Sequence, residues 1–210
     1  MVMQNKYWDA VAYQKKFAHP LLLGEFERHI NPESRILDCG CGYGRSIAEL
    51  HKKGFTNLCG IDYSAGMLGR ARKENPFARY ARTAGGDFPF SDSSFDAVLL
   101  LAVLTCIPDS NEQTKLFSEM YRVLKAGGVV YMSDLLINSD KRNRERYERF
   151  APRHGCYGVF ELEEGVVLRH HTMKHLEHLA ASFKTLSQQE FRVETMNRHE
   201  SRAIRMILQK

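Results

Sequence analysis

The chain has 210 residues, the length of one domain, and 43% of them are hydrophobic, which is ordinary for a globular protein. Its formal net charge of +5 is too small to indicate a nucleic-acid partner by itself. The longest apolar run, residues 97–106, has about half the length that a bilayer requires, and residues 1–16 are too polar for a signal peptide. We therefore expect a cytoplasmic protein without a membrane-spanning segment or a membrane partner.

The cysteines indicate neither a disulfide framework nor a metal site. There are five of them, an odd number, and they lack the paired spacing that is typical of a zinc site. We expect reduced thiols and no bound metal.

Strand-like apolar runs alternate with amphipathic helical stretches between residues 35 and 133. Strands are predicted at residues 35–38, 58–61, 95–101 and 129–133. Helices are predicted at residues 46–53, 65–75 and 113–124, the last of them stopping at a left-handed glycine cap within residues 126–128. This alternation is typical of βαβ units and predicts one doubly wound α/β domain with a mainly parallel sheet.

The segments on either side of this core have other patterns. Residues 1–30 are expected to form an N-terminal helical extension. After the strand at residues 129–133, the alternation lapses through residues 138–172, which we interpret as a lid-like, substrate-facing insertion. A last helix at residues 173–182 and a hairpin of strands 191–196 and 202–208 follow, so that the chain ends antiparallel.

A glycine-rich loop follows the first predicted strand directly. Asp38 precedes Gly40, Gly42 and Gly44, and glycines at such a turn let backbone N–H groups approach a ligand closely. A dinucleotide-binding fingerprint has the spacing Gly-x-Gly-x-x-Gly. This loop instead has Gly-x-Gly-x-Gly, and Arg45 stands directly after Gly44. The loop therefore indicates a nucleotide-type ligand other than NAD or FAD.

Two further acidic residues follow at the ends of later elements. Asp62 closes the second strand, where a carboxylate can accept hydrogen bonds from both hydroxyls of a ribose. Asp87 and its neighbour Phe88 lie before a Pro-Phe turn and could frame an adenine.

Four segments in order carry a resemblance to a known family: residues 36–44, 60–68, 86–96 and 122–128. The sequence resembles the class I S-adenosylmethionine-dependent methyltransferases, particularly the group related to the C-methyltransferases of ubiquinone and menaquinone biosynthesis. The resemblance implies a Rossmann-like sheet of seven strands with the last strand antiparallel. It also implies S-adenosylmethionine as cofactor, S-adenosylhomocysteine as product, and residues 35–133 as the cofactor-binding core of a single domain, with residues 173–210 as its last helix and hairpin.

The same resemblance assigns roles to single residues. Asp38 is expected near the methionine amino group, the three loop glycines along the cofactor, and Leu101 and Ala102 under the methionine portion. Asp62 would hold the ribose; its alternative is a turn-forming carboxylate.

The adenine is expected to contact three side chains. Tyr63 would pack on its face, Asp87 would meet its exocyclic amine and Phe88 would lie at its edge. For Tyr63 and Phe88, the alternative is simple core packing.

A general base for the acceptor is expected among the histidines. His170 and His171 end the insertion, and we expect one of them to face the acceptor, because histidine titrates near neutral pH. The alternative is a pair of exposed or helix-capping histidines. Many relatives carry a polar pair after the fourth strand, whereas this chain has Thr105 and Cys106 there.

Several other side chains are candidates for contact with the acceptor: Tyr7, Trp8, Cys106 and Tyr157. Tyr7 and Trp8, with Tyr13 and Phe17, would form a lid over the cleft, or else the apolar stripe of a packed helix. The arginine-rich residues 141–153 have two interpretations: a solvated, self-paired helix face, or an anchor for an acidic acceptor or a phosphate backbone.

Three functions remain open from the sequence. A methyltransferase acting on a small-molecule acceptor is favoured, because no appended recognition domain is visible. An RNA or protein methyltransferase is possible but less favoured, since residues 101–104 lack the Asn-Pro-Pro-Tyr type of motif. The third is a non-catalytic cofactor-binding partner subunit. No feature indicates an oligomeric state.

Overall fold

The computed structural model describes residues 2–83 and 86–210. Six α-helices lie in these residues: α1 (Val2–Val11), α2 (Arg45–Lys52), α3 (Ala65–Glu74), α4 (Ser110–Val123), α5 (Lys141–His154) and α6 (Met173–Leu179). The strands are β1 (Ile36–Cys39), β2 (Leu58–Asp62), β3 (Arg79–Arg82), β4 (Phe95–Leu101), β5 (Leu124–Leu135), β6 (Val159–Glu161), β7 (Val167–Arg169), β8 (Lys184–Glu194) and β9 (Glu200–Gln209). None of the helices in this part of the chain combines the length and the apolar character needed to span a bilayer.

Seven of the strands form one sheet in the order β3-β2-β1-β4-β5-β9-β8. The first five of these run parallel, whereas β9 runs antiparallel to its neighbours β5 and β8. β6 and β7 form a separate two-stranded hairpin. This topology confirms the predicted doubly wound α/β fold with an antiparallel last strand.

The central strands bury side chains on both faces of the sheet. Leu37 and Val98 belong to one apolar cluster, whereas their neighbours Ile36 and Leu99 belong to another. Because side chains alternate along a strand, a sheet that is covered on both faces needs continuous apolar runs. Residues 97–101 of β4 are such a continuous apolar run, which explains why the sequence predicts β4 with the same bounds as in the structure.

The sequence did not predict β3 or the β6–β7 hairpin, and it indicated α5 only through the helix-pair spacing of residues 141–153. β3 lies at the edge of the sheet, and its sequence Arg-Tyr-Ala-Arg has no apolar run because its side chains are exposed or half-buried. Residues 138–172 are not irregular: they hold α5 and the β6–β7 hairpin. Asp140 caps α5 by accepting a hydrogen bond from the N–H of Asn143 at 3.1 Å, and Gly155 ends it with φ of 63°.

Some predicted bounds were also wrong. α1 ends at Val11, and in the rest of the expected N-terminal extension only Phe26–His29 is helical, as a 3-10 turn. α4 ends before Leu124, so that Gly127, with φ of 77°, lies within β5 and not at a helix cap. β8 begins at Lys184, well before the predicted start at residue 191. Its first half is polar and mostly exposed, so the sequence shows no apolar strand pattern there.

Candidate active site

A cavity lies at the carboxyl ends of β1, β2, β4 and β5, and its empty volume is about 1500 Å³ including the open mouth. Asp38, Asp62, Leu101 and Leu135 line it from these four strands. Residues of α1, of segment 15–19, of β6–β7 and of the β8–β9 turn complete the walls. Open α/β sheets bind ligands at this edge, so the position alone marks the cavity as the candidate site.

The glycine loop forms the floor beside β1. Gly40 and Gly42 have φ of 70° and 53°, a region that residues with a Cβ rarely adopt. A Cβ on Gly42 would overlap Cε2 of Phe17, and a Cβ on Gly40 would lie 2.5 Å from Cγ2 of Val103. Gly44 stands behind the cavity as the N-cap of α2. The loop therefore requires glycine for backbone conformation and for close packing.

Asp38 is a buried carboxylic acid without a protein partner for one oxygen. Its Oδ2 has no hydrogen bond within the described part of the chain. Burial raises the pKa of Asp38 to about 8, and the nearby Asp62 adds to this, whereas Arg45 opposes it. An uncompensated buried acceptor is costly, and a ligand ammonium group would satisfy it.

Asp62 joins the loops that follow β1 and β2. One oxygen accepts a hydrogen bond from the N–H of Gly42 at 2.8 Å, and the other accepts one from the N–H of Ser64 at 2.8 Å. Burial raises the pKa of Asp62, although these backbone hydrogen bonds oppose the shift. Each oxygen keeps a lone pair, so the carboxylate can still accept hydrogen bonds from two hydroxyls.

The N-terminal segment packs over this part of the cavity. Tyr7 and Trp8 line it, and Tyr63 packs in the same apolar cluster as Trp8 with its hydroxyl buried and without a partner in the described residues. Asp9 fixes α1 to the start of α3, because its Oδ1 accepts hydrogen bonds from Ser64 Oγ at 2.6 Å and from Gly66 N at 2.8 Å.

The end of β4 carries an unusual backbone conformation. Ala102 has φ of 55°, and its N–H donates to the carbonyl of Ser133 at 2.8 Å. Both Leu101 and Ala102 line the cavity. A left-handed alanine costs about 1–2 kcal/mol, and such strain tends to occur at functional sites.

Comparisons with known proteins agree with this geometry. A family profile described as a methyltransferase domain matches residues 37–132. A protein of Synechocystis sp. named an uncharacterized methyltransferase is 35% identical over 106 residues, which cover 50% of this chain and 49% of that protein. The crystal structure of an S-adenosylmethionine-dependent methyltransferase from Methanosarcina mazei has a TM-score of 0.84 and 27% identity, covering 89% of this chain and 96% of that one.

This chain has a methyltransferase domain at residues 37–132 and the fold of the class I S-adenosylmethionine-dependent methyltransferases. It is also 30% identical over 148 residues to a sterol 24-C-methyltransferase of Gibberella zeae, which covers 65% of this chain and 38% of that protein. The chain spans about half, or less, of the length of these curated relatives. The family's cofactor is S-adenosylmethionine, and the unpartnered Oδ2 of Asp38 beside the glycine loop fits its amino group. The narrower likeness to ubiquinone and menaquinone methyltransferases stays a prediction.

Two residues expected at the adenine lie outside the cavity. Asp87 is exposed and forms an ion pair with Nζ of Lys115 at 3.1 Å. Phe88 is buried in the apolar core, and its N–H donates to Oε2 of Glu119 at 2.6 Å. For Phe88 the structure agrees with the alternative of core packing, and the adenine contacts of both residues stay a prediction.

His170 lines the cavity, and its hydrogen bonds define its tautomer. Its Nδ1 lies 2.6 Å from the hydroxyl of Tyr147 and 3.4 Å from Nδ2 of Asn138. Asn138 Nδ2 lies closer to the carbonyl of Leu136, at 2.8 Å, and to Oγ of Ser201, at 2.9 Å, so its two hydrogens have nearer partners than His170. The Tyr147 hydroxyl is the near partner of Nδ1, and we assign it as the donor, which leaves the ring proton on Nε2. Burial lowers the pKa of His170 well below its usual value, so the ring offers a hydrogen-bond donor and not a base.

His171 does not line the cavity, and its prediction as a catalytic residue is not supported. Its Nδ1 lies 3.4 Å from the carbonyl of Leu135, and its Nε2 lies 2.9 Å from Nε2 of Gln113. Burial lowers the pKa of His171 to about 3. His171 is therefore neutral and lies in the core. His170 and His171 face different surroundings because adjacent side chains on an extended backbone point to opposite sides.

Cys106 and Tyr157 have different positions. Cys106 lines the cavity, and burial raises the pKa of its thiol, which therefore stays protonated. Tyr157 is 46% exposed, packs edge-on against Tyr147 and does not line the cavity. Its predicted contact with the acceptor has no support in this arrangement.

His19 is a cavity residue that the sequence did not indicate. His19 is buried, and its Nε2 lies 2.8 Å from Oγ of Ser133 at the end of β5. Ser133 donates its own hydrogen to the carbonyl of Ile204 at 3.0 Å, so Nε2 of His19 must be the donor and Nδ1 the acceptor. Burial, with the charge of Arg45, lowers the pKa of His19 to about 4. No motif surrounds His19 in the sequence, so only the fold could reveal it.

Proposed function

We propose that this methyltransferase transfers a methyl group from S-adenosylmethionine to a small-molecule acceptor. The observation that carries the proposal is the buried Asp38, whose Oδ2 lacks a partner in the described residues. This oxygen stands beside the glycine loop, in a cavity that extends past β4 and β5 to the β6–β7 hairpin. The cavity thus offers a cationic ligand an acidic group that can ionise on binding, and it leaves space beyond this group for a second ligand.

The chain's own residues have distinct roles in this proposal. Asp38 would hold the methionine amino group, Asp62 the ribose hydroxyls, and Tyr63 with Trp8 would shield the cofactor from water. S-adenosylmethionine supplies an electrophilic methyl group when it is bound, so the chain needs only to align the acceptor and to exclude water. The positions of Leu101 and Ala102 at the end of β4 support a contact with the methionine portion.

Two neutral histidines would orient the acceptor. His19 would present Nδ1 as a hydrogen-bond acceptor for a hydroxyl or an amine. His170 presents Nε2–H as a donor. Together they would fix the orientation of a polar group on the acceptor.

The walls beyond the cofactor region favour a small acceptor. Phe160, Leu162 and Val166 supply apolar surface there, and α1 with the β8–β9 turn encloses the space. A phosphate backbone would need an open groove with many cations, since its binding depends on several ionic contacts. Apolar, enclosed walls suit a molecule that is buried almost completely.

A labelling experiment tests the proposal. The purified chain is incubated with methyl-labelled S-adenosylmethionine and a cell extract separated into ultrafiltered small molecules, RNA and protein. We expect label in the small-molecule fraction, and no transfer by an Asp38→Ala variant. Label in the RNA or protein fraction would overturn the small-molecule acceptor, and cofactor binding without any transfer would indicate a non-catalytic role.

A further inference from the structure

Arg146 is a cation of α5 that lies inside the cavity wall. Its guanidinium carbon is 3.5 Å from the centroid of the Phe160 ring and 5.6 Å from that of Tyr147. Arg142, one turn earlier on α5, lines the same part of the cavity. The β6–β7 hairpin and α5 thus place a guanidinium flat against an aromatic wall.

No carboxylate of the described residues lies within 4.0 Å of this guanidinium. Its Nε is buried and has no hydrogen-bond partner there. Two other cations of α5 are paired: Lys141 with Glu145 at 3.7 Å and Arg153 with Glu161 at 2.9 Å. The remaining arginines of α5 form no ion pair among the described residues, but they are exposed to water: Arg142, Arg144 and Arg149. Arg146 differs from all of these, because it is half-buried and its charge is not neutralised by an adjacent side chain.

The charged and titratable groups around Arg146 do not supply a counterion. His170 is neutral and close enough for the charge of Arg146 to act on it. The Tyr147 hydroxyl raises the pKa of Arg146 but is uncharged. Asp140 attracts Arg146 only from beyond ion-pair distance, and Arg142 repels it. Burial accordingly lowers the pKa of Arg146, although a guanidinium remains charged at any working pH.

The surroundings of the guanidinium are apolar. Phe160, Leu162, Val166 and Leu168 line the cavity beside it, all from β6–β7 and its turn. A planar guanidinium in such a place binds a carboxylate through two parallel hydrogen bonds. An apolar wall with one buried cation fits a ligand with an apolar body and one negative charge.

We propose that the acceptor is a small apolar carboxylic acid whose carboxylate is bound by Arg146. The inference rests on the proposed function and names the substrate class of that site. The apolar body of the acid lies against Phe160 and the β6–β7 turn, and Arg142 adds a second positive charge at the rim. Of the two interpretations of residues 141–153 in the sequence, this proposal favours the anchor for an acidic acceptor.

Binding of matched probes to the cofactor-loaded protein tests this proposal. Calorimetry first measures S-adenosylhomocysteine, and the loaded protein is then titrated with 3-phenylpropionate and indole-3-acetate beside their uncharged amides at constant ionic strength. The variants are Arg146→Gln, Arg146→Lys and, as the matched control, Arg144→Gln, which removes the same charge from an exposed position of α5. Circular dichroism checks that each variant is folded.

We expect each acid to bind at least about tenfold more tightly than its amide, as charge-assisted hydrogen bonds imply. Arg146→Gln should abolish the preference, Arg146→Lys should keep part of it, and Arg144→Gln should leave it unchanged. Equal binding of acid and amide, a preference that survives Arg146→Gln, or no binding of either acid at its solubility limit would each overturn the inference. If S-adenosylhomocysteine itself does not bind, it is the proposed function that fails.

Discussion

Asp62 accepts a hydrogen bond of 2.8 Å from the backbone N–H of Gly42, which ties the end of β2 to the glycine loop after β1. An Asp62→Asn variant would place an N–H donor against Gly42 or Ser64, and it would also lose the negative charge. We expect the affinity for S-adenosylhomocysteine to fall about 10- to 100-fold, equivalent to about 1.4–2.8 kcal/mol. Isothermal titration calorimetry measures this loss, and an unchanged affinity would remove Asp62 from the site.

Asp87 provides the opposite test. The structure pairs it with Lys115 on the surface, so Asp87→Ala should leave the affinity for S-adenosylhomocysteine within about twofold, because an exposed ion pair contributes little. A large loss of affinity would instead support the adenine contact predicted from the sequence. The same titration as for Asp62 gives the answer, with Asp92→Ala as an exposed control.

Asp38 should release a proton when the cofactor binds. Without a ligand its pKa is raised to about 8, so the carboxyl is mostly protonated at pH 7, whereas a ligand ammonium favours the ionised form. Affinity should therefore rise with pH up to about 8. Titrations at pH 7 in buffers of different ionisation enthalpy measure the proton release, and Asp38→Asn should abolish it.

The same burial makes Asp38 a destabilising group in the protein without ligand. Between the unfolded pKa of 3.8 and about 8, the folded chain binds more protons than the unfolded chain, so the contribution of Asp38 to stability falls as pH rises. Asp38→Asn should raise the melting temperature at neutral pH even as it weakens the cofactor. A lower melting temperature would contradict the absence of a partner for Oδ2.

Gly42 should tolerate no side chain unless Phe17 is shortened. A Cβ at Gly42 overlaps the Phe17 ring, and φ of 53° is strained for alanine by about 1–2 kcal/mol. Gly42→Ala should therefore lower both the melting temperature and the cofactor affinity. The Gly42→Ala, Phe17→Ala double variant should recover part of the loss relative to the sum of the single changes, which a double-mutant cycle measures. Strict additivity would show that the two positions do not touch.

His171 should make the protein sensitive to acid. Its folded pKa of about 3 lies below the unfolded value of 6.5, so the unfolded chain binds more protons between these limits and stability is lost as pH falls. At pH 5 the loss would be about 2 kcal/mol from this residue. Urea unfolding at pH 7 and pH 5 should show a smaller difference for His171→Gln than for the unmodified chain. His29→Gln, at an exposed histidine, should not change that difference.

The sequence predicted the parts of the site that follow directly on strands. Asp38 with its glycines and Asp62 stand at strand ends, and parallel strands bring such ends to one edge of the sheet. Because each of these residues stands at the end of a strand that the sequence predicts, the local pattern was sufficient to place it at this edge. Leu101 and Ala102, which also stand at a strand end, were assigned from the family resemblance.

Residues that tertiary packing brings together could not be predicted in this way. His19 meets Ser133 across 114 positions, and no local pattern records that contact. Neighbours in the sequence can also have different surroundings. His170 and His171 are adjacent, yet His170 lines the cavity and His171 is in the core. Deciding between them needed the register of residues 167–171, which the sequence did not indicate.

The place of β9 has a consequence for folding during synthesis. This strand, residues 200–209, lies between β5 and β8 within the sheet although both are made before it. While the ribosome still holds residues 200–209, β5 exposes the edge at which β9 will pair, and β8 has no partner in the sheet. Open strand edges invite association with other chains. Nascent chains that stall before this segment should therefore depend on chaperones, whereas a chain that includes β9 closes the gap by itself.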